Sequence, residues 1–138
     1  MIKLTDQMKE LINKALADGN PCVIATASKE GIPDVGFKGS MMAFDDESLA
    51  YWERTLHTTI SNIEQNPNVM VLFRNPTERV AWRFLGTAMV YKEGPMRQEV
   101  MSRVVQPELD RDPNRIGIAV VIKLNKVLGA GPQVLQER

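Results

Sequence analysis

The stretch LAYWERTLHTTISNIEQNPN, Leu49–Asn68, decides how the rest of this 138-residue chain is read. It opens as an apolar strand, Leu49-Ala50-Tyr51-Trp52. A polar turn follows, with Arg54, His57, Thr58 and Thr59, and then a helical run that stops at Asn66-Pro67. A strand that hands over to a helix through such a turn makes an anion site. The first helical amides lack intrahelical partners, and the dipole at that end favours negative charge. Thr58 or Thr59 can cap the helix, and a threonine hydroxyl can equally bond a phosphate oxygen. Arg54 adds a fork that matches phosphate. Asn62 falls one helical turn further along the threonine face. A plain capped helix with a solvated arginine fits the same residues about as well.

Outward from this unit, the preceding sequence reads as a helix and a hairpin. Leu4, Met8, Leu11, Ile12, Ala15 and Leu16 recur at helical spacing, so a helix is expected over 4–17, closed by Asp18-Gly19-Asn20-Pro21. Cys22–Ala27 reads as a strand and Ser28-Lys29-Glu30-Gly31 as a turn. Asp34–Phe44 is the return strand, interrupted by Gly36, Gly39 and Ser40. Glycine inside a strand marks a bulge or a close approach to the backbone.

Beyond Pro67, strands are expected over Asn68–Arg74, over Arg79–Lys92 with a break at Gly86, and over Ile116–Val127. A helix is expected over Pro95–Val105, a polar loop over Gln106–Arg115, and a tail over Gly129–Arg138. About six strands joined by hairpin turns, with three helices, close most naturally as an antiparallel barrel with peripheral helices. One domain over 1–138 accommodates all of this, with its N-terminal helix inside 1–20 and its tail at 129–138.

Composition narrows the partners. Seventeen basic and seventeen acidic residues cancel, so no bulk field draws the chain to nucleic acid. No apolar run spans a bilayer and no signal-peptide core opens the chain, so a cytoplasmic protein is expected, with no membrane partner. The single cysteine, Cys22, leads an apolar strand and reads as a buried, inert thiol. With His57 as the only histidine, no zinc ligand set is expected.

In sequence order, CVIATASKEGIPDV, FKGSMMAF, LAYWERTLHTTISNIEQNPNVMVLF and RFLGTAMV together resemble the flavin-binding split β-barrels related to pyridoxamine 5′-phosphate oxidase. The resemblance spans about Pro21 to Val127. It implies a mainly β, six-stranded antiparallel split barrel that binds FMN at a homodimer interface. Carried over by position, it implies that Arg54, Thr58 and Thr59, with Asn62 beside them, hold the phosphate. Thr58 stands where relatives often carry lysine, which removes one charge. Phe37, Lys38, Gly39, Ser40 and Met41 would run along the isoalloxazine edge, and Trp82 and Arg83 lie where a partner subunit would complete the site. Small glycine and serine side chains let backbone amides approach a flat ring. Trp52 and Trp82 can stack on it or serve as buried bulk.

The resemblance implies an oxidoreductase in which the cofactor carries the chemistry and a small-molecule substrate or reductant supplies the electrons. No side chain stands out as acid or base, and His57 reads as a positioning or structural residue. Other readings stay open: a module that stores or senses flavin without turnover, a member that uses the deazaflavin F420 or heme, and a member that has lost its cofactor. The short tail GAGPQVLQER is a poor match to the oxidase's own C-terminal substrate-binding motif, so that enzyme's activity is the less expected one.

Overall fold

The computed structural model describes residues 1–138. After helix α1 (Asp6–Asn13) come strands β1 (Cys22–Ala27), β2 (Pro33–Lys38), β3 (Met42–Asp45) and β4 (Ser48–Glu53). Helix α2 (Thr58–Gln65) leads to β5 (Asn68–Asn75) and β6 (Val80–Tyr91). Helices α3 (Pro95–Ser102) and α4 (Gln106–Leu109) precede β7 (Ile118–Leu128) and β8 (Val134–Glu137). All pairings are antiparallel, in the order β2-β1-β5-β6-β7-β4-β3, with β8 on β7.

The sheet curls so that its two edge strands, β2 and β3, are consecutive in the chain. Gly39-Ser40-Met41 carries the backbone from one edge to the other, and there the barrel is split. The expected return strand over 34–44 is therefore two strands on opposite edges. Ser40 fixes the crossing. Its hydroxyl donates to the Trp52 carbonyl at 3.1 Å and accepts from the Trp52 amide at 2.9 Å, standing in for a strand partner on β4.

The count rises from six strands to eight through this split and through the tail. The tail pairs as β8, pinned by Arg83, whose guanidinium donates to the carbonyls of Gly129, at 3.1 Å, and Gly131. No break occurs at Gly86. There β6 runs on through a register shift, because a Cβ at Gly86 would fall 2.6 Å from Ile122 Cγ2 and the Lys123 carbonyl. The first helix is shorter than expected, since Thr5 caps it through the Met8 amide at 3.1 Å and the chain turns off after Asn13. The third stops at Ser102, and the expected polar loop contains α4.

Two cores result. Inside the barrel, alternate residues of the strands meet α1 and α2, with Ile24, Tyr51, Phe73, Phe84 and Ile122 among the most buried. A smaller core, Met42, Ala50, Trp52, Val100, Val104 and Ala119, lies under α3 on the outer face. Strand β4 is covered on both sides, which is why all six of its residues are buried. Cys22 is 1% exposed, and burial pushes its thiol pKa up to about 12, as suits an inert core thiol. No helix is long and apolar enough to cross a membrane.

Candidate functional site

The turn from β4 to α2 divides two concavities that share no lining residue. On one side, Thr58, Asn62 and Gln65 of α2 face Ser28, Lys29, Glu30, Ile32, Pro33 and Asp34 of the β1–β2 hairpin across a groove of about 550 Å³. On the other, Phe37, Lys38, Trp52, Glu53, Arg54, Thr55 and Glu108 line a pocket of about 170 Å³.

At the groove, the N-cap residue of α2 is His57, not a threonine, and it supplies no side-chain cap. Thr58 is the first helical residue and is exposed, while Thr59 turns inward and is buried. The first amide engaged is that of Ser61, which donates to the His57 carbonyl at 3.0 Å. The amides ahead of it keep the donor character of an open helix end. Asn62 is held in place by its amide, which donates to Thr26 Oγ at 3.0 Å on β1.

At the pocket, the alternation that buries Leu49 and Tyr51 continues to Glu53, which is 1% exposed. Its carboxylate is fully engaged. It accepts from the Tyr51 hydroxyl at 3.1 Å, from Thr55 Oγ at 3.0 Å and from Lys38 Nζ, 3.0 and 3.1 Å from its two oxygens. Burial, then the neighbouring Glu53 charge and hydrogen bond, push the Tyr51 hydroxyl pKa well above its ordinary value. Tyr51 is therefore a neutral donor at working pH.

Behind the pocket, Asp112 anchors the segment that carries α4. It accepts from Trp52 Nε1 at 2.8 Å and from the amides of Gly117 at 2.8 Å and Ile116 at 3.0 Å. Burial alone would push its carboxyl up. The Trp52 bond, the two amide bonds and the Arg115 charge outweigh it and hold the carboxyl below the ordinary value. Arg97 stacks on Trp52 at 4.8 Å and donates to the carbonyls of Gly117 and Arg115.

The residues singled out from sequence thus fall into three groups. Phe37, Lys38 and Arg54 meet in the pocket, with Gly39 against Glu108. Thr58 and Asn62 meet in the groove, with Thr59 packed behind. The rest serve the framework. Ser40 is tied to Trp52, Met41 lies in the barrel core, Trp82 stacks on Phe73 at 5.7 Å, and Arg83 holds the tail. Glu53 and Glu108 were missed. Glu53 was legible as the third inward residue of β4. Nothing local marks Glu108, which lies in a polar stretch and is buried by long-range packing.

A sequence model described as pyridoxamine 5′-phosphate oxidase matches residues 4–125. An uncharacterized protein of Methanocaldococcus jannaschii is 29% identical, over 96% of this chain and 85% of that one. The crystal structure of HupZ from Group A Streptococcus superposes with a TM-score of 0.74 at 26% identity, covering 95% of this chain and 97% of that one. A putative pyridoxamine 5′-phosphate oxidase from Lactobacillus delbrueckii gives 0.70 at 28% identity, covering 91% and 93%. An FMN-binding protein from Syntrophomonas wolfei, an F420 reductase and the heme storage protein HutZ from Vibrio cholerae share the fold at 14%, 17% and 14% identity. A split barrel opened at Gly39–Met41, matched over most of its length, places this chain in the pyridoxamine 5′-phosphate oxidase family.

Proposed function

We propose that the chain binds FMN across the β4–α2 turn and works as a flavin-dependent oxidoreductase. The observation that carries this reading is the open end of α2: a helix with no side-chain cap, an exposed Thr58, and Lys29 across the groove. Free amides, a hydroxyl and a nearby cation are what a phosphate tail needs. The groove also holds Glu30 and Asp34, so the α2 amides, Thr58 and Lys29 are the part of its lining that fits the group.

When bound, FMN supplies hydride or electron exchange. The chain's own residues bind and orient. The α2 amides and Thr58 hold the phosphate, Asn62 keeps the groove wall fixed through Thr26, and Phe37 offers an aromatic flank. Lys38, neutralised by Glu53, leaves the pocket floor without net charge. Tyr51 keeps its proton and donates its hydroxyl hydrogen bond to the Glu53 carboxylate, so its donor is not free for a substrate.

A second copy of the chain completes the site. On the outer face, Val35 and Phe37 of β2 are 67% and 74% exposed, and Phe37 is in register with Val23 and, through it, with Leu72, 43% exposed. A contiguous apolar face of this kind is built to be covered. A single buried cysteine suits a reducing, cytoplasmic setting.

The test is the spectrum and affinity of the purified chain. It is expected to carry or take up FMN, to bind riboflavin more weakly, and to lose FMN binding by tenfold or more in Thr58→Asp, with riboflavin binding unchanged. Equal effects on both ligands would remove the phosphate from this groove, and a chain that takes up neither has no flavin function. Anaerobic bleaching by NADH or NADPH separates a reductase from a storage module. The deazaflavin F420 presents a comparable tail and ring, so competition between the two ligands assigns the cofactor.

A further inference from the structure

Glu108 lies on α4, and its side chain is 8% exposed. A carboxylate at that depth ordinarily accepts several hydrogen bonds. This one accepts none. Its nearest cations, Arg54 Nε and Arg111 Nη1, stand at 3.6 and 3.7 Å, beyond hydrogen-bonding reach. Arg54 is in the same condition: its side chain is 27% exposed, and its guanidinium donates to nothing in the chain.

Neither group is sealed off, because no side-chain nitrogen or oxygen fully shut away from solvent lacks a partner. The unfilled positions open onto the 170 Å³ pocket that both residues line. Every other charge there is occupied, with Lys38 and Glu53 bonded to each other. The pocket therefore presents one vacant donor fork and one vacant acceptor, side by side, next to the aromatic Phe37.

The charge state selects the ligand. Arg54 alone would suit a phosphate. Inside the pocket Glu108 offsets the Arg54 charge, Arg111 lies outside the lining with its side chain 64% exposed, and a dianion would meet the Glu108 carboxylate. What fits is a neutral edge that offers an acceptor to Arg54 and a donor to Glu108. The pocket is smaller than the roughly 300 Å³ at which whole-ligand sites begin, so it takes an edge and not a complete molecule. The position of Glu108 also depends on Gly39, where an added Cβ would fall 2.9 Å from the carboxyl carbon.

We propose that Glu108 and Arg54 read the edge of a planar heterocycle in which a ring N–H sits beside a ring carbonyl, the dioxopyrimidine edge of an isoalloxazine. The assignment rests on the flavin reading and divides its labour. The groove at α2 takes the phosphate, and the Arg54–Glu108 pocket takes the ring. A deazaflavin carries the same edge and is read the same way.

The experiment uses two probes that lack the phosphate, riboflavin and 3-methylriboflavin, in which a methyl group replaces the ring N–H. Binding is followed by quenching of flavin fluorescence, and folding by circular dichroism. The wild-type chain is expected to bind riboflavin about ten- to a hundredfold tighter than the methylated probe, the span of a hydrogen bond to a charged group. In Glu108→Leu the riboflavin affinity falls to that of the methylated probe, whose own affinity stays unchanged. If that variant does not fold, the isosteric Glu108→Gln replaces it and is expected to retain only a few-fold discrimination. Equal binding of both probes by the wild type overturns the assignment, and so does full discrimination in a folded Glu108 variant. Flavin binding without discrimination removes this inference alone, whereas no binding of either flavin or FMN removes the functional reading as well.

Discussion

Two buried carboxylates four residues apart make opposite use of the same stretch of chain. Asp112 and Glu108 are 5% and 6% exposed, and both press on the end of β4 from the segment between α3 and β7. Asp112 accepts from the Trp52 indole and two amides, and its acceptor capacity is largely filled. Glu108 accepts from nothing and faces a pocket. Burial alone does not tell a structural carboxylate from a binding one. The completeness of its hydrogen bonding does. Glu53, bonded to Tyr51, Thr55 and Lys38, belongs with Asp112.

The sharpest way to break that contrast is to orphan a satisfied carboxylate. Lys38 and Glu53 have side chains only 12% and 2% exposed. Lys38→Met is therefore expected to cost about 3–5 kcal/mol, the toll of leaving one member of a buried pair, read from urea unfolding curves. Asp112→Ala strands the Trp52 indole and the Gly117 and Ile116 amides and is expected to cost roughly 3 kcal/mol by the same measurement. A loss below about 1 kcal/mol in either variant would mean that water replaces the missing partner and that completeness of bonding is a poor guide here.

The Asp112 contribution carries a pH signature. Its carboxyl is held below the ordinary value. A depressed carboxylate stabilises the fold above its unfolded pKa, about 3.9, and that stability is lost as the pH falls through the folded pKa. The stability gap between wild type and Asp112→Ala is thus full at pH 6 and narrows below about pH 4. A gap that widens on acidification would show that the hydrogen bonds do not favour the charged form.

The smallest effect is expected at Glu108. Glu108→Leu removes a buried charge that makes no hydrogen bond, and Arg54 and Arg111 keep enough exposure to rehydrate. Its stability is expected to stay within about 1 kcal/mol of wild type, on the stabilising side. A loss as large as that of Asp112→Ala would return Glu108 to the framework.

Much of this was legible in the sequence because it is local. The inward alternation Cys22, Ile24, Thr26, the stop at Asn66-Pro67 and the helical spacing of Met8, Leu11 and Ile12 are each set within a few residues. Gly39 and Ser40 announced an interruption. They did not say that β2 and β3 lie on opposite edges, since that depends on where a curled sheet closes. The four residues grouped as one cradle, Arg54, Thr58, Thr59 and Asn62, lie on both sides of a turn, because residue spacing along a chain does not fix which way the chain leaves a strand.

By itself the sequence determined the mainly β class, the strand-to-helix turn after Trp52, and Phe37, Lys38 and Arg54 as separate candidates. Periodicity, turn chemistry and resemblance all act over short stretches. Only the tertiary structure decided that Glu53 and Glu108 share a pocket with Arg54, that Ser40 and Arg83 serve the framework, and that the tail becomes a strand. The reason is physical: burial and hydrogen-bond completeness belong to the packed assembly. A glutamate far along a polar loop acquires them only when the fold brings it against a glycine nearly seventy residues away.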